Sequence, residues 1–129
     1  MKANLPAKYT FTLVQGDSYQ FRLVFFIDTG NGLEPEDLTQ FDDIIWAFRT
    51  EPNINLNPFE VKSVSSGQLK IEGDDNNELV LEFDQELYAT QRDVFFHACV
   101  FIKDGKRETR IDGVLNNYLN TVKESDVTS

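Results

Sequence analysis

The chain has 129 residues, of which 40% are hydrophobic and 12% aromatic, including 11 Phe. That length suits one domain over 1–129, with a core over roughly 8–120 and short tails, and the apolar content excludes a disordered adaptor. Its 22 acidic residues outweigh 12 basic ones, and the net charge of −10 has the wrong sign for a partner built on phosphate backbones.

Residues 9–14, Tyr-Thr-Phe-Thr-Leu-Val, alternate at period two and predict a strand, with a Gly-centred turn at Gln15-Gly16-Asp17. From Ser18 to Ile27 one face carries Phe21, Leu23, Phe25 and Ile27. The opposite face starts polar, with Gln20 and Arg22, and turns apolar at Val24 and Phe26. The Gly30-Asn31-Gly32 block accepts positive φ, so the chain reverses there, and Pro35 rules out a continuing central strand.

Ile44 to Arg49 is the next β-prone run, followed by an Asn- and Pro-rich loop over Glu51 to Pro58. Shorter runs at Phe59–Val64, Gln68–Glu72 and Glu78–Phe83 are separated by turn residues, a spacing that suggests a sandwich or barrel. Asp84 to Thr90 predicts a short corner helix with Asp84 as its N-cap. The last pair, Val94–Lys103 and Lys106–Asn116, reads as a hairpin turned at Asp104-Gly105, because Asp-Gly suits a tight turn needing positive φ.

The chemistry-bearing residues are few. His97 is the single histidine and Cys99 the single cysteine; they share a strand face with Phe95 and Phe101 and fall short of the four ligands of a structural zinc. Cys99 has no partner for an internal disulfide and reads as a buried thiol in a reducing compartment. The acidic loop at 73–78 lacks the oxygen spacing of an EF-hand, the second acidic stretch (Glu34, Glu36, Asp37, Asp42 and Asp43) serves general acid–base work only where a cleft separates the carboxylates' pKa values, and no phosphate-binding loop or nucleophile elbow is present. The expectation is a non-enzyme with no cofactor and no metal. The N-terminus has no apolar stretch of signal-peptide length, and no window reaches the roughly 20 apolar residues of a membrane span.

More informative is the run Phe95–Ile102. Phe96, Ala98, Val100 and Ile102 make one apolar face, and Phe95, His97, Cys99 and Phe101 make a second nearly as apolar. One face meets the core and the other needs a cover, either the chain's own loops or a partner. Val24 and Phe26 have the same property, so the candidate interface residues are Val24, Phe26, Phe95, His97, Cys99 and Phe101.

The order of these elements carries a resemblance. The shared features are an opening strand ending in Gln15-Gly16-Asp17, the alternation Phe21, Leu23, Phe25, a Gly-Asn-Gly turn at 30–32, and Asp37-Leu38-Thr39 before a strand ending in Arg49. They continue with a Glu86-Leu87 corner near Thr90, a hairpin turned at Asp104-Gly105, and Gly113 before the closing strand. In this order the chain resembles the immunoglobulin-like β-sandwich structural proteins of tailed phages and prophages, including the N-terminal domain of baseplate upper proteins. It departs from the family where Arg92-Asp93-Val94-Phe95-Phe96-His97 replaces a Gly followed by aromatics and an Asp.

The resemblance implies an all-β, immunoglobulin-like antiparallel sandwich of about 7–9 strands with at most one short helix. It also implies a virion part of the tail, baseplate, collar or fibre attachment, made in the bacterial cytoplasm. The partners it implies are other virion proteins, with a homo-oligomer or symmetric ring in the assembled particle and neither nucleic acid nor membrane. Two competing readings are a carbohydrate-binding module with Trp46, Tyr88 and Tyr118 as aromatic platforms, and a small hydrolase using the acidic stretch with Asp42 and Asp43.

Overall fold

The structure, a computed structural model, describes residues 6–13, 20–52, 57–84, 87–88 and 93–118. Among the described residues ten strands run in chain order: β1 Ala7–Leu13, β2 Gln20–Val24, β3 Phe26–Asp28, β4 Leu33–Pro35, β5 Asp43–Arg49, β6 Glu60–Ser63, β7 Leu69–Glu72, β8 Glu78–Glu82, β9 Val94–Lys103 and β10 Lys106–Asn117. A 3-10 turn, Leu38–Gln40, is capped by Asp37, whose carboxylate accepts the Thr39 N–H. The chain is an all-β, immunoglobulin-like sandwich. One sheet has the order β1-β10-β9-β5-β6 and the other β2-β8-β7, while β3 and β4 form a separate ribbon.

Two features depart from the expected antiparallel sandwich of about 7–9 strands. The count reaches ten because of the three-residue strands β3 and β4, and the pairing of β1 with β10 is parallel. The parallel pair follows from placing the first strand in the sheet of the last one, on the far side from β2. Gly113 makes that approach close: a Cβ there would lie 2.1 Å from the Tyr9 carbonyl oxygen.

The β9–β10 hairpin lies where Asp104-Gly105 predicts it, with φ of 53° and 78° at the two turn residues. The continuous strand expected from Ser18 to Ile27 is broken. Phe25 leaves the ladder, its N–H donating to Asn77 O at 2.8 Å and its carbonyl accepting from Glu36 N at 3.1 Å and Asn77 Nδ2 at 3.2 Å. The phenyl ring turns toward Phe101, 5.5 Å between centroids, while Ile27 beyond it faces solvent.

Of the corner helix expected over 84–90, residues 85, 86, 89 and 90 lie outside the described residues. At its start Asp84 Oδ1 accepts the Leu87 N–H and Asp84 O the Tyr88 N–H, each at 3.2 Å, which is N-cap geometry. The Gln15-Gly16-Asp17 turn also lies outside the described residues, as do residues 53–56 of the loop at 51–58.

Alternation delivers the core. Phe11 and Leu13, Ile44, Trp46 and Phe48, and Phe95, Cys99 and Phe101 are buried from the larger sheet, with Leu69, Leu79 and Leu81 from the smaller one. Phe11 is the hub, with edge-on contacts to Phe21, Trp46, Phe83 and His97 at 4.9–5.3 Å. Such pairs stabilise by about 0.5–1.5 kcal/mol each beyond their area.

Candidate docking surfaces

The four β9 residues expected at an interface are core residues. Phe95, His97, Cys99 and Phe101 all face the smaller sheet and are buried, which corrects their assignment to a partner surface. The reason is the central position of β9: both neighbours, β10 and β5, send their own large apolar side chains to the same side. Burial pushes the Cys99 thiol well above its usual range and so favours the neutral thiol over the thiolate that attacks or binds metal.

His97 is held from both ring nitrogens. Nδ1 lies 3.0 Å from Trp46 Nε1, and Nε2 lies 2.8 Å from the Tyr9 carbonyl oxygen. An indole N–H only donates and a carbonyl only accepts, so the imidazole is neutral with its proton on Nε2. This ring bridges three strands, β5, β9 and β1, and it crosses β10 over Gly113, which has no side chain to block it.

The aromatic platform of the carbohydrate reading is absent at two of its three positions. Trp46 and Tyr88 are fully buried, and only Tyr118 is exposed. The Tyr88 hydroxyl donates to Glu60 Oε1 at 2.6 Å, and the Lys62 ammonium lies 3.1 Å from Oε2 of the same carboxylate. Inward charges of this kind on the edge strand β6 blunt its tendency to pair with another sheet.

The acidic stretch is engaged in structural bonds. Asp42 Oδ2 accepts the Asp104 N–H at 2.8 Å, Asp43 accepts from Ile44 N, Ser65 N and Ser65 Oγ, and the Thr39 hydroxyl and N–H hold Asp37 below the usual carboxylate range. Glu36 is buried against Arg110, whose Nη1 lies 2.8 and 2.7 Å from its two oxygens. That pair ties the end of the β3–β4 ribbon to the irregularity of β10 between Thr109 and Ile111. Among the described residues no group of three or more His, Cys, Asp or Glu side chains gathers as a metal site.

Two surfaces remain apolar. The first is the ribbon with the adjoining end of β2: Val24 of β2 is 51% exposed, and Phe26, Ile27 and Leu33 of the ribbon are 53%, 44% and 71% exposed. Phe26 stands opposite Pro35 and Leu33 opposite Asp28, so Phe26, Leu33 and Pro35 share one face. Val24 and Phe26 are thus the two expected interface residues that lie at the surface.

The second is the outer face of the larger sheet, where Ile45 pairs with Val100 and Ala47 with Ala98, and Phe96 lies between Arg49 and Val114. All are half-buried, on a face that an antiparallel sheet usually makes polar. A groove of about 460 Å³ runs across it between Lys8 and Arg49, floored by Phe96, Ala98 and Val114 and flanked by Asp112. Among the described residues, Arg49 Nε is buried there without a hydrogen-bond partner. The signal for this surface was the second apolar face of β9; Arg49 had none, because an arginine closing a strand is ordinary at the sequence level.

No family model matches the sequence, and no curated protein matches it.

Proposed function

We propose that this chain is a non-catalytic docking module that joins protein surfaces, and that it does so as a structural part of a tailed-phage particle. The observation that carries the docking role is the β3–β4 ribbon, which shows Ile27, Leu33 and the Phe26 ring to solvent beside Val24 at the end of β2. A two-stranded ribbon is marginal in water by itself, and exposed apolar clusters mark interaction sites. No basic residue lies between Arg22 and Arg49, whereas Asp28 and Glu34 sit within the ribbon, so the surface that receives it is apolar with a basic rim. The particle reading comes from the resemblance in element order, and the immunoglobulin-like sandwich is compatible with it.

Mass spectrometry of purified phage particles tests the reading. The chain is expected among the particle proteins in a fixed ratio to the other tail components, and its absence would sink the assignment. A Phe26→Ser, Leu33→Ser double variant is expected to keep the wild-type melting temperature and to be depleted from particles. Normal incorporation of that variant would remove the ribbon from the docking role.

A further inference from the structure

We propose that the outer face of the β1-β10-β9-β5-β6 sheet is the seat of a second copy of this chain, packed face to face about a two-fold axis running along β9. The inference rests on the docking reading above and names a partner for a different surface. Three observations on that face point the same way.

The floor of the groove is apolar, with Ala98 between Phe96 and Val114, and Ala47, the cross-strand neighbour of Ala98, keeps the adjoining face of β5 low. Small side chains there let a second sheet approach to the ~10 Å spacing of packed sheets. The groove is also locally balanced, with Lys8 and Arg49 against Glu51 and Asp112 in its lining. The net charge of −10 therefore opposes association at long range, where salt screens it beyond about 8 Å, and not at the contact itself.

The third observation is the orphan Arg49 Nε, a buried donor of a kind that native structures almost always pair. A two-fold axis along β9 supplies an acceptor for the guanidinium once the side chain turns out toward the partner, which also releases Nε from its unpaired burial. It places β5 of one copy over β10 of the other, and Arg49 over the partner's stretch at Val114, since Arg49, Phe96 and Val114 are in register. Asp112 stands two residues along that strand, about 7 Å away, within reach of an arginine side chain. Asp112 uses only Oδ1 for Lys8, at 2.7 Å in an exposed pair, which leaves Oδ2 to accept from the incoming guanidinium. The contact is isologous, so the pair forms twice, each copy giving Arg49 to one and Asp112 to the other.

Sedimentation velocity of the full chain from micromolar to near-millimolar concentration tests this. A concentration-dependent monomer–dimer equilibrium is expected, with Arg49→Gln weakening it at least about tenfold and Ala98→Arg abolishing it. Arg49→Asp alone is expected to weaken the dimer, and Arg49→Asp combined with Asp112→Arg to restore it, a swap that general misfolding would not reproduce. A monomer at every concentration would overturn the inference, as would a dimer that Ala98→Arg leaves intact. Neither result touches the docking reading, which is judged by the particle composition and by the ribbon variant.

Discussion

Trp46 Nε1–H donates to His97 Nδ1 at 3.0 Å in the core, and that one bond sets the protonation state of the ring. A second proton on His97 would sit on Nδ1 and point at the indole N–H, donor against donor. Burial lowers the His97 pKa from its ordinary value, against the smaller raising effects of the Tyr9 carbonyl, the Asp112 carboxylate and the Val114 backbone.

The sign of the pH dependence follows. A histidine with a depressed folded pKa binds its proton more tightly when unfolded, so its contribution is complete above the unfolded value near 6.5 and is lost as pH falls below it. Urea unfolding is expected to show stability falling as pH is lowered from about 6.5, with a slope of up to about 1.4 kcal/mol per pH unit from this one proton. His97→Gln keeps an acceptor for Trp46 and a donor for Tyr9 without titrating, and is expected to flatten that slope between about pH 5 and 6.5.

Gly113→Ala is expected to be strongly destabilising. Its methyl group would meet the Tyr9 carbonyl oxygen at 2.1 Å and His97 Nε2 at 3.2 Å, so β1 has to move off β10. The loss should be about 3 kcal/mol or more by chemical denaturation. Hydrogen exchange should localise it, with protection lost along Ala7–Leu13 before the β9–β10 ladder.

Arg110→Leu leaves the buried Glu36 carboxylate without its cation, and removing one partner of a buried pair is costly. Arg110 is 27% exposed at its side chain, so water offsets part of the loss, and about 2–3 kcal/mol at neutral pH is the expected cost. Glu36→Gln in the same background should recover part of it, because the uncompensated charge is then gone. No recovery would mean that Arg110 acts through its packing on Phe41 and Phe101, at 5.0 and 4.5 Å, instead.

Cys99 is expected to react with a thiol-specific reagent only as fast as the chain unfolds, since it is fully buried and burial holds it in the thiol form. Labelling followed by mass spectrometry should show little modification in native buffer and complete modification in denaturant. Rapid native labelling would mean that β9 opens locally at its centre.

Local pattern determined much of this protein. Alternation and turn chemistry located the strands from β5 onward to within about one or two residues, and the Asp104-Gly105 hairpin appears at its expected place, because both signals depend only on neighbours in sequence. What they could not supply was the inward side of β9. Both its faces are apolar, and period two is silent when both phases look alike. The choice came from the smaller sheet, whose Leu79 and Leu81 close over Phe95, Cys99 and Phe101 and leave Phe96, Ala98 and Val100 outside. The parallel pairing of β1, the break at Phe25 and the Arg49 groove likewise belong to tertiary structure, since each rests on residues brought together from distant parts of the chain.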